Sequence, residues 1–350
     1  MIPHSRPTIG KEESLQAAKV IESGQLAQGA VVEKIEEEFS RKMGVRYGAA
    51  VSSGTAALHV ALLAMGVEPG DQVIIPSYVC TALLNAVHHV GADPVLADID
   101  PVTYNLDPDD VKARLTGRTK AVVVPHLFGL AADMEGLLSL GVPIIEDCAQ
   151  AVGGEYQHKP VGSLGHAAIF SFYATKVITT GEGGMVVSDS RELIDRVKGL
   201  RAYDKIDAYE TRYNYKMTDI QAAMGRVQLG RLETLIERRR AIAVKYQQAL
   251  EGFDITLPPD DPGHIYYRYV IGLKTDVGHL IQSIREKGIE CARPIHVPLH
   301  KLLDLEGYLQ TGAAQSHSLS LPIYPSLTDE EVDRVIEVLR NTFEESVNEA

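Results

Sequence analysis

Short apolar segments alternate with helical patterns along residues 47–188, and this alternation restricts the fold more than any other feature. Each apolar segment is brief and almost wholly nonpolar, as expected of a strand in a sheet that is covered on both faces. A chain that repeats strand and helix in this order predicts an α/β fold. The predicted strands are residues 47–51, 72–75, 94–97, 121–124, 142–145, 167–172 and 184–188, and the helices between the first five are residues 54–65, 79–90, 108–115 and 133–140.

The pattern changes after residue 190, where helical segments replace the alternation. Pro258, Pro259 and Pro262 then mark a break, because proline lacks a backbone donor and interrupts regular structure. We therefore predict a large α/β domain over residues 1–245 and a small α+β domain over residues 246–350. The remaining helical patterns are residues 11–23, 31–43, 192–201, 218–230, 232–250, 277–287 and 329–343, and a late strand is predicted at residues 266–273.

The composition argues against several classes of partner. The 350 residues carry 47 acidic and 34 basic side chains, a formal net charge of −13, whereas nucleic acids are bound by basic surfaces. No run of 18 apolar residues is present, so no membrane span is expected, and the first residues lack the apolar stretch of a signal peptide. Cys80, Cys148 and Cys291 show neither disulfide nor metal-ligand spacing. We expect a cytoplasmic protein with no metal site.

Lys176 lies between a short strand that carries Ser171 and a glycine-rich turn, Gly181-Glu-Gly-Gly184, and Asp147 follows an apolar strand upstream. In open α/β sheets, ligands bind at the carboxyl ends of the strands. Pyridoxal phosphate needs a lysine amine for its aldehyde and a carboxylate that keeps its ring nitrogen protonated. These residues predict a pyridoxal phosphate site with Lys176 and Asp147 as catalytic residues. Once its amine is free, Lys176 can move a proton as general base and acid.

The segment Ser52-Ser-Gly-Thr-Ala-Ala57 opens a predicted helix directly after a strand. Backbone amides at a helix amino end attract an anion. The cofactor phosphate is therefore predicted on the amides of Gly54, Thr55 and Ala56, with a hydroxyl from Ser171. The ordinary alternatives are a helix cap made by the serine or threonine and a hydrogen-bonded strand serine at position 171.

Other polar side chains could serve the cofactor, a metal or the core. Gln150, one turn after the acidic residue at 147, is predicted to reach the phenolic oxygen of the cofactor or to lie against its ring. His126 follows a strand end, where a place in the pocket wall and a place in the core are equally compatible with the sequence. His296 and His300 are four residues apart, but Pro298 between them argues against a helical metal-binding pair.

An ordered set of motifs runs through most of the chain. It comprises Ile2-Pro-His-Ser-Arg-Pro7, Ser53-Gly-Thr-Ala-Ala-Leu58, Pro125-His-Leu-Phe-Gly129, Glu146-Asp-Cys-Ala-Gln-Ala151, the lysine strand with its glycine-rich turn, Tyr213-Asn-Tyr-Lys-Met-Thr-Asp219 and Leu319-Ser-Leu-Pro-Ile-Tyr-Pro325. In this order the motifs resemble the DegT/StrS family of pyridoxal phosphate-dependent sugar aminotransferases. The resemblance implies the type I, aspartate aminotransferase-like fold, with a large mixed-sheet α/β domain and a small carboxyl-terminal α+β domain.

The resemblance also implies a homodimer with active sites at the subunit interface. In such enzymes an asparagine of the partner chain reaches the cofactor phosphate, and the matching residue here is Asn214, with Lys216 nearby. The family has an aromatic residue that stacks on the cofactor ring, and Cys80 stands at that position. We expect either Cys80 or Tyr78 to cover the ring face. The residues predicted on the substrate side are His4, Tyr78, His126, His296 and His300.

The reaction implied by the resemblance is transfer of an amino group from glutamate to a keto-deoxysugar carried on a nucleotide, at C3 or C4, in polysaccharide biosynthesis. An aminotransferase that acts on a cyclitol or another non-nucleotide ketone remains an alternative, because the motifs concern the cofactor. A sugar 3-dehydratase of the same fold would have histidine in place of Lys176. A non-catalytic regulator would not need the pair of Lys176 and Asp147.

Overall fold

A seven-stranded mixed sheet lies at the centre of the larger part of the chain. The computed structural model describes residues 1–204 and 209–348. The strands in chain order are β1 Tyr47–Val51, β2 Gln72–Pro76, β3 Asp93–Ala97, β4 Thr119–Pro125, β5 Ile144–Asp147, β6 Glu155–Tyr156, β7 Lys159–Pro160, β8 Ala167–Ser171, β9 Gly184–Ser188, β10 Tyr269–Gly272 and β11 Ser318–Leu321. Across the sheet the order is β1-β9-β8-β5-β4-β2-β3, and β9 runs antiparallel to both of its neighbours.

Helices cover both faces of this sheet, which confirms the predicted α/β class. The helices predicted at residues 11–23 and 232–250 have those bounds in the structure, and most others differ from their predictions by one or two residues. The helices are α1 Lys11–Ser23, α2 Ala30–Lys42, α3 Gly54–Ala64, α4 Thr81–His89, α5 Pro108–Arg114, α6 Met134–Leu138, α7 Arg191–Leu200, α8 Asp219–Gly230, α9 Leu232–Leu250, α10 Gly278–Glu286, α11 Leu299–Leu302, α12 Leu309–His317 and α13 Asp329–Asn348.

Successive residues of a strand belong to opposite cores, which explains why the strands contain so few polar residues. In β1, Ala49 and Val51 pack with residues of α3, α4 and α7, whereas Ala50 packs with residues of α2, α8 and α9. Side chains alternate between the two faces of a sheet. Because both faces are buried here, apolar residues are favoured at every position of the strand rather than at every second one.

The carboxyl-terminal part has its own core around the antiparallel pair of β10 and β11. Helix α9 contributes to both cores: Leu235 and Ile236 pack beneath the large sheet, and Ile242 and Tyr246 pack in the carboxyl-terminal core. The predicted boundary at residues 245 and 246 falls within this helix, and the division into two domains stays a prediction.

The carboxyl ends of β1, β5 and β8 meet at one edge of the sheet. Asp147 ends β5 and Ser171 ends β8, where Ser171 pairs with Gly184 at the start of β9. Gly184 also pairs with Val51 at the end of β1. A Cβ at Gly184 would overlap the carbonyl group of Ser53. Only glycine therefore allows the chain to enter α3 so close to β9.

Among the described residues, no helix has the length and apolar character needed to cross a membrane.

Candidate active site

One cleft at this edge of the sheet collects most of the residues that the sequence predicts for the cofactor. It has a volume of about 310 Å³ and is bordered by the strand ends and the amino ends of α3 and α4. Ala56 and Asn214, which are also predicted to bind the cofactor, do not line it. The predicted residues that do line it are Gly54, Thr55, Cys80, Asp147, Gln150, Ser171 and Lys176.

The amino end of α3 forms one end of the cleft. Ser53 caps this helix, and its hydroxyl accepts a hydrogen bond of 3.1 Å from the Ala56 amide. The Ala56 amide, which the sequence assigns to the phosphate, is therefore already engaged by the cap. Within the described chain, the amides of Gly54 and Thr55 donate to no other residue. These two amides leave an anion site at the positive end of the helix.

Asp147 supplies a carboxylate that is almost fully buried, with 6% of its surface exposed. One of its oxygens accepts a hydrogen bond of 3.0 Å from the Ala149 amide. Burial raises the pKa of Asp147, and this hydrogen bond together with the Lys176 charge offsets only part of the effect. A cation that entered the cleft beside Asp147 would stabilise the ionised carboxylate and be stabilised by it.

Lys176 is only partly exposed, and its Nζ lies 5.3 Å from the ring centroid of Tyr267. No described residue accepts a hydrogen bond from this amine, so it remains available for chemistry. Burial alone would raise the pKa of Tyr267, but the charges of Lys176 and Arg268, a hydrogen bond with Thr175 and the charge of Arg239 lower it overall. Lys176 thus faces a phenol whose pKa the surrounding cations hold below its ordinary value.

Gln150 and Cys80 form further parts of the cleft wall. The Gln150 side-chain oxygen accepts a hydrogen bond of 3.1 Å from the Phe128 amide. Phe128 has a φ of 60°, which is rare outside glycine, and this backbone conformation holds its amide toward Gln150. Cys80 is the N-cap residue of α4, and its side chain is exposed.

Sequence reasoning missed three residues beside the predicted set. Tyr173 and Glu182 line the cleft, and Tyr267 lies next to the lysine. Tyr173 could have been recognised from its place two residues after Ser171, where the strand has just ended. Tyr267 offered no such signal, because it stands in a run of aromatic residues that reads only as a strand.

Tyr78 lies outside the cleft, in a cluster of buried aromatic rings. Its ring is fully buried and packs against Tyr104 and Phe128, and its hydroxyl donates to the Ala314 carbonyl at 3.4 Å. A side chain enclosed in this way cannot cover a ligand in the cleft. Of the two residues expected at the ring face, Cys80 is the one that the cleft contains.

His126 also lies away from the cleft, in the core. Its Nδ1 accepts from the Ala132 amide at 3.0 Å, so its Nε2 carries the proton and donates to Glu146 at 3.0 Å. His126, Glu146 and Cys148 are close enough to share an ion. However, the Glu146 oxygens are already engaged by His126 and by backbone amides, those of Gly162, Leu164 and Gly165. This arrangement is a hydrogen-bonded core network.

The other residues predicted on the substrate side are dispersed. His300 is buried, and its Nδ1 lies 2.7 Å from the Ser77 hydroxyl, so it supports the loop before Cys80. His296 is exposed and lines no part of the cleft. His4 lines a separate small cavity. Asn214 is exposed on the segment before α8, outside the cleft of its own chain.

Comparison with known proteins gives one consistent result. The profile of the DegT/DnrJ/EryC1/StrS aminotransferase family matches residues 7–340. The spore coat polysaccharide biosynthesis protein SpsC of Bacillus subtilis is 37% identical, over 97% of this chain and 96% of its own. GDP-perosamine synthase of Caulobacter vibrioides is 38% identical, over 89% of this chain and 90% of its own.

A solved structure has nearly the same fold. Spr1654 of Streptococcus pneumoniae, assigned as a sugar aminotransferase and determined in its PMP form, superposes with a TM-score of 0.94 at 27% identity. The match covers 99% of this chain and 98% of that protein.

Proposed function

The chain belongs to the DegT/DnrJ/EryC1/StrS aminotransferase family, and we propose that it moves an amino group from glutamate to a keto sugar carried on a nucleotide. The observation that carries the proposal is the single cleft in which Lys176 and Asp147 lie with the amino end of α3. The choice of a nucleotide-linked sugar is supported by the similarity to GDP-perosamine synthase. The similarity to SpsC supports a role in polysaccharide biosynthesis.

The aminotransferase depends on pyridoxal phosphate. When bound, this cofactor supplies an aldehyde that accepts amines and a protonated ring that withdraws electrons from the carbon that loses its proton. The cleft fits such a group. It offers two backbone amides without a protein partner at a helix amino end, a buried carboxylate and an amine without a hydrogen-bond acceptor among the described residues.

Each residue of the cleft has a distinct part in this proposal. Gly54 and Thr55 donate their backbone amides to the phosphate, and the Ser171 hydroxyl adds a side-chain donor. Asp147 keeps the proton on the ring nitrogen, because a buried carboxylate next to a cation strongly favours the ion pair. The Lys176 Nζ would take the proton from the substrate Cα and deliver it to the C4′ of the cofactor, and would move a proton in the opposite direction when the sugar receives the amine.

Two further residues concern the cofactor. Gln150 would reach the phenolic oxygen of the cofactor or lie against its ring, because its side chain lines the cleft and is held by the Phe128 amide. Cys80 covers the ring face as a small apolar group in place of an aromatic residue.

A second copy of the chain completes the site in this proposal. Asn214 is exposed and lies outside its own cleft, as a residue that serves a partner chain must. It lies between Tyr213 and Tyr215, whose stacked rings are 5.1 Å apart and stiffen the segment. We place this homodimer in the cytoplasm, on the basis of the three free cysteines.

A cyclitol or other non-nucleotide ketone is the second candidate acceptor. Lys176 argues against the 3-dehydratase chemistry, which would require histidine at this position. The intact set of Lys176, Asp147 and Ser171 argues against a non-catalytic regulator.

Incubation with pyridoxal phosphate, ¹⁵N-glutamate and a panel of ketones tests the proposal. The panel contains GDP-, UDP- and dTDP-linked 3-keto and 4-keto sugars and one keto cyclitol. We expect mass spectrometry to show ¹⁵N in the amine of a nucleotide-linked sugar, and no product with Lys176→Ala. Labelling of the cyclitol alone would establish the second candidate. Failure to label any ketone, when the cofactor is bound, would contradict the proposed function.

A further inference from the structure

A small cavity near Lys176 is lined by residues of the amino-terminal segment and of the carboxyl-terminal part. We call it the arginine pocket. Its volume is about 50 Å³, room for roughly three to five water molecules at about 10–15 Å³ each. It is lined by His4, Ser5, Arg6, Thr175, Arg239, Tyr267, Arg268, Leu321, Ile323 and Tyr324.

The arginine pocket holds positive charge for which the described residues supply no acidic counter-ion. Arg6, Arg239 and Arg268 form no ion pair with any residue in the described parts of the chain, and no acidic residue lines the pocket. The chain as a whole has 47 acidic against 34 basic residues. Three arginines that line one cavity without an acid are therefore unusual in this protein, and a buried cation such as Arg239 is generally paired.

Arg239 shows that this charge is truly enclosed. Its side chain is 3% exposed, and burial lowers its pKa to about 10. One terminal nitrogen donates to the carbonyls of Tyr266, Tyr267 and Ile323, but Nε has no partner among the described residues. The carbonyls support the guanidinium from one side only and leave its charge uncompensated.

His4 adds a neutral polar group. Burial and the neighbouring charge of Arg268 lower the pKa of His4 to about 4, and its Nε2 lies 2.9 Å from the Ser320 hydroxyl. At neutral pH the pocket therefore gains no further charge from this histidine. Its net positive charge comes from the guanidinium groups.

The pocket lies directly beside the reactive amine. Thr175, which lines the pocket, immediately precedes Lys176 in the chain. Tyr267 lines the pocket as well, and its ring is the one that the Lys176 Nζ approaches at 5.3 Å. A ligand could thus place one group in the arginine pocket and another at Lys176.

We propose that the arginine pocket binds a carboxylate of the amino donor, with Arg268 as the main partner. The inference rests on the proposed function and identifies where the donor is held. Arg268 makes no side-chain hydrogen bond in the described structure, so both prongs of its guanidinium are free for a carboxylate. The small volume excludes the diphosphate of a nucleotide. The nucleotide part of the acceptor would therefore lie outside this pocket.

Glutarate, a dicarboxylate without an amino group, probes the pocket without any turnover. Calorimetric titration into the pyridoxal phosphate-loaded protein should give a dissociation constant that rises at least ~10-fold in Arg268→Ala, from the loss of charge-assisted hydrogen bonds. Arg268→Lys should give a dissociation constant between those of the wild type and Arg268→Ala, because lysine keeps the charge but lacks the paired donors of the guanidinium. Arg6→Ala, at an exposed position, should weaken binding less. Arg118→Ala removes an exposed arginine outside the pocket and should bind as wild type does.

The two half-reactions identify which substrate uses the pocket. Arg268→Ala should require a higher glutamate concentration to convert the cofactor to its amine form with release of 2-oxoglutarate. The second half-reaction, in which the amine form reacts with the keto sugar, should keep its wild-type concentration dependence. Unchanged glutarate binding in Arg268→Ala and Arg6→Ala, at unchanged thermal stability, would overturn the pocket assignment. So would a defect confined to the keto-sugar step. The labelling experiment tests the reaction separately.

Discussion

Gly54 and Ser171 approach so closely that no side chain fits between them: a Cβ on Gly54 would lie 2.8 Å from the Ser171 Cβ and 3.1 Å from its hydroxyl. Contacts under 3 Å between such carbons are not sustained, so one element would have to move. The contact joins the first residue of α3 to the last residue of β8. It keeps the free helix amides beside the serine hydroxyl, where both can reach one phosphate.

Gly54→Ala should therefore destabilise the protein by about 1–3 kcal/mol, the usual effect of overpacking, and weaken cofactor binding at least ~10-fold. Ser171→Gly in the same chain removes the clashing atoms and should restore much of the stability. Chemical denaturation and titration with pyridoxal phosphate measure the two effects. Gly199→Ala, in α7 with open space around it, is the matched control and should be neutral or slightly stabilising. If the effects of Gly54→Ala and Ser171→Gly on the free energy of unfolding are additive, the close contact between these two residues is not the cause of the destabilisation.

Asp147→Asn should retain the cofactor but lose at least ~10²-fold in turnover, since a preorganised charge at a reacting group contributes several kcal/mol to the barrier. The amide cannot keep the ring nitrogen charged. The side chain also accepts from the Ala149 amide, which an asparagine oxygen can still do. Steady-state rates and the cofactor absorption spectrum provide the measurement. Near-wild-type turnover would remove Asp147 from the mechanism.

Mixing two inactive variants should restore activity when one chain of each assembles into the same dimer. In a mixed dimer of Lys176→Ala and Asn214→Asp, one site carries both changes and the other carries neither, provided that each site takes these residues from different chains. Each mixed dimer should recover about half of the wild-type activity, because two-fold symmetry gives it one intact site and one doubly altered site. Asn214→Asp is expected to be impaired alone, because a carboxylate opposite a phosphate costs several kcal/mol.

Subunit exchange is confirmed by native mass spectrometry before the assay. If exchange is complete and Asn214→Asp is impaired, yet the mixture stays inactive, Asn214 does not serve the partner chain.

Acid should destabilise the protein partly through His264. Burial lowers the pKa of His264 from 6.5 to about 4, with smaller opposing contributions from its hydrogen bond to the Phe128 carbonyl and from Asp261. Between these pKa values the unfolded chain binds the proton and the folded chain does not, so stability falls as the pH falls. The loss from this group between about pH 7 and about pH 5 is about 2 kcal/mol.

His264→Gln keeps a donor for the Phe128 carbonyl and should reduce the pH dependence of unfolding by that amount. Urea denaturation at several pH values measures it. The exposed His88→Gln serves as control and should retain the wild-type slope. If the free energy of unfolding of His264→Gln changes with pH as steeply as that of the wild type, His264 is not the group that titrates.

Much of the fold was predictable because the sheet is buried on both faces. Such strands appear in the sequence as short nonpolar segments. Helix α9 was predictable because its apolar residues recur at helical spacing along its whole length. The hairpin of β6 and β7, the helices α11 and α12, and the strand β11 were not predicted. The hairpin strands are two residues each, too short for any periodicity to appear.

Site residues were predictable from the sequence where cofactor chemistry requires a particular residue type. They were not predictable where tertiary packing determines the direction of the side chain. Lys176, Asp147 and Ser171 follow from cofactor chemistry and from strand ends. Tyr78 and His126 could not be placed, because a polar aromatic residue after a strand can turn either toward the cleft or into the core. Ring packing around Tyr78 and the Glu146 contact with His126 settle those positions, and neither is visible in local sequence.

Helix α9 fixes the spacing between the core beneath the sheet and the carboxyl-terminal core, which a loop could not do. Arg239 lies on it between Leu235, in the core beneath the sheet, and Ile242, in the carboxyl-terminal core. Each residue of a helix advances about 1.5 Å and turns about 100°. A single insertion here would swing one core against the other and carry the arginine away from Lys176. An insertion in α9 would therefore change the spacing between Lys176 and Arg239, whereas a substitution at an exposed position would leave the length of the helix unchanged.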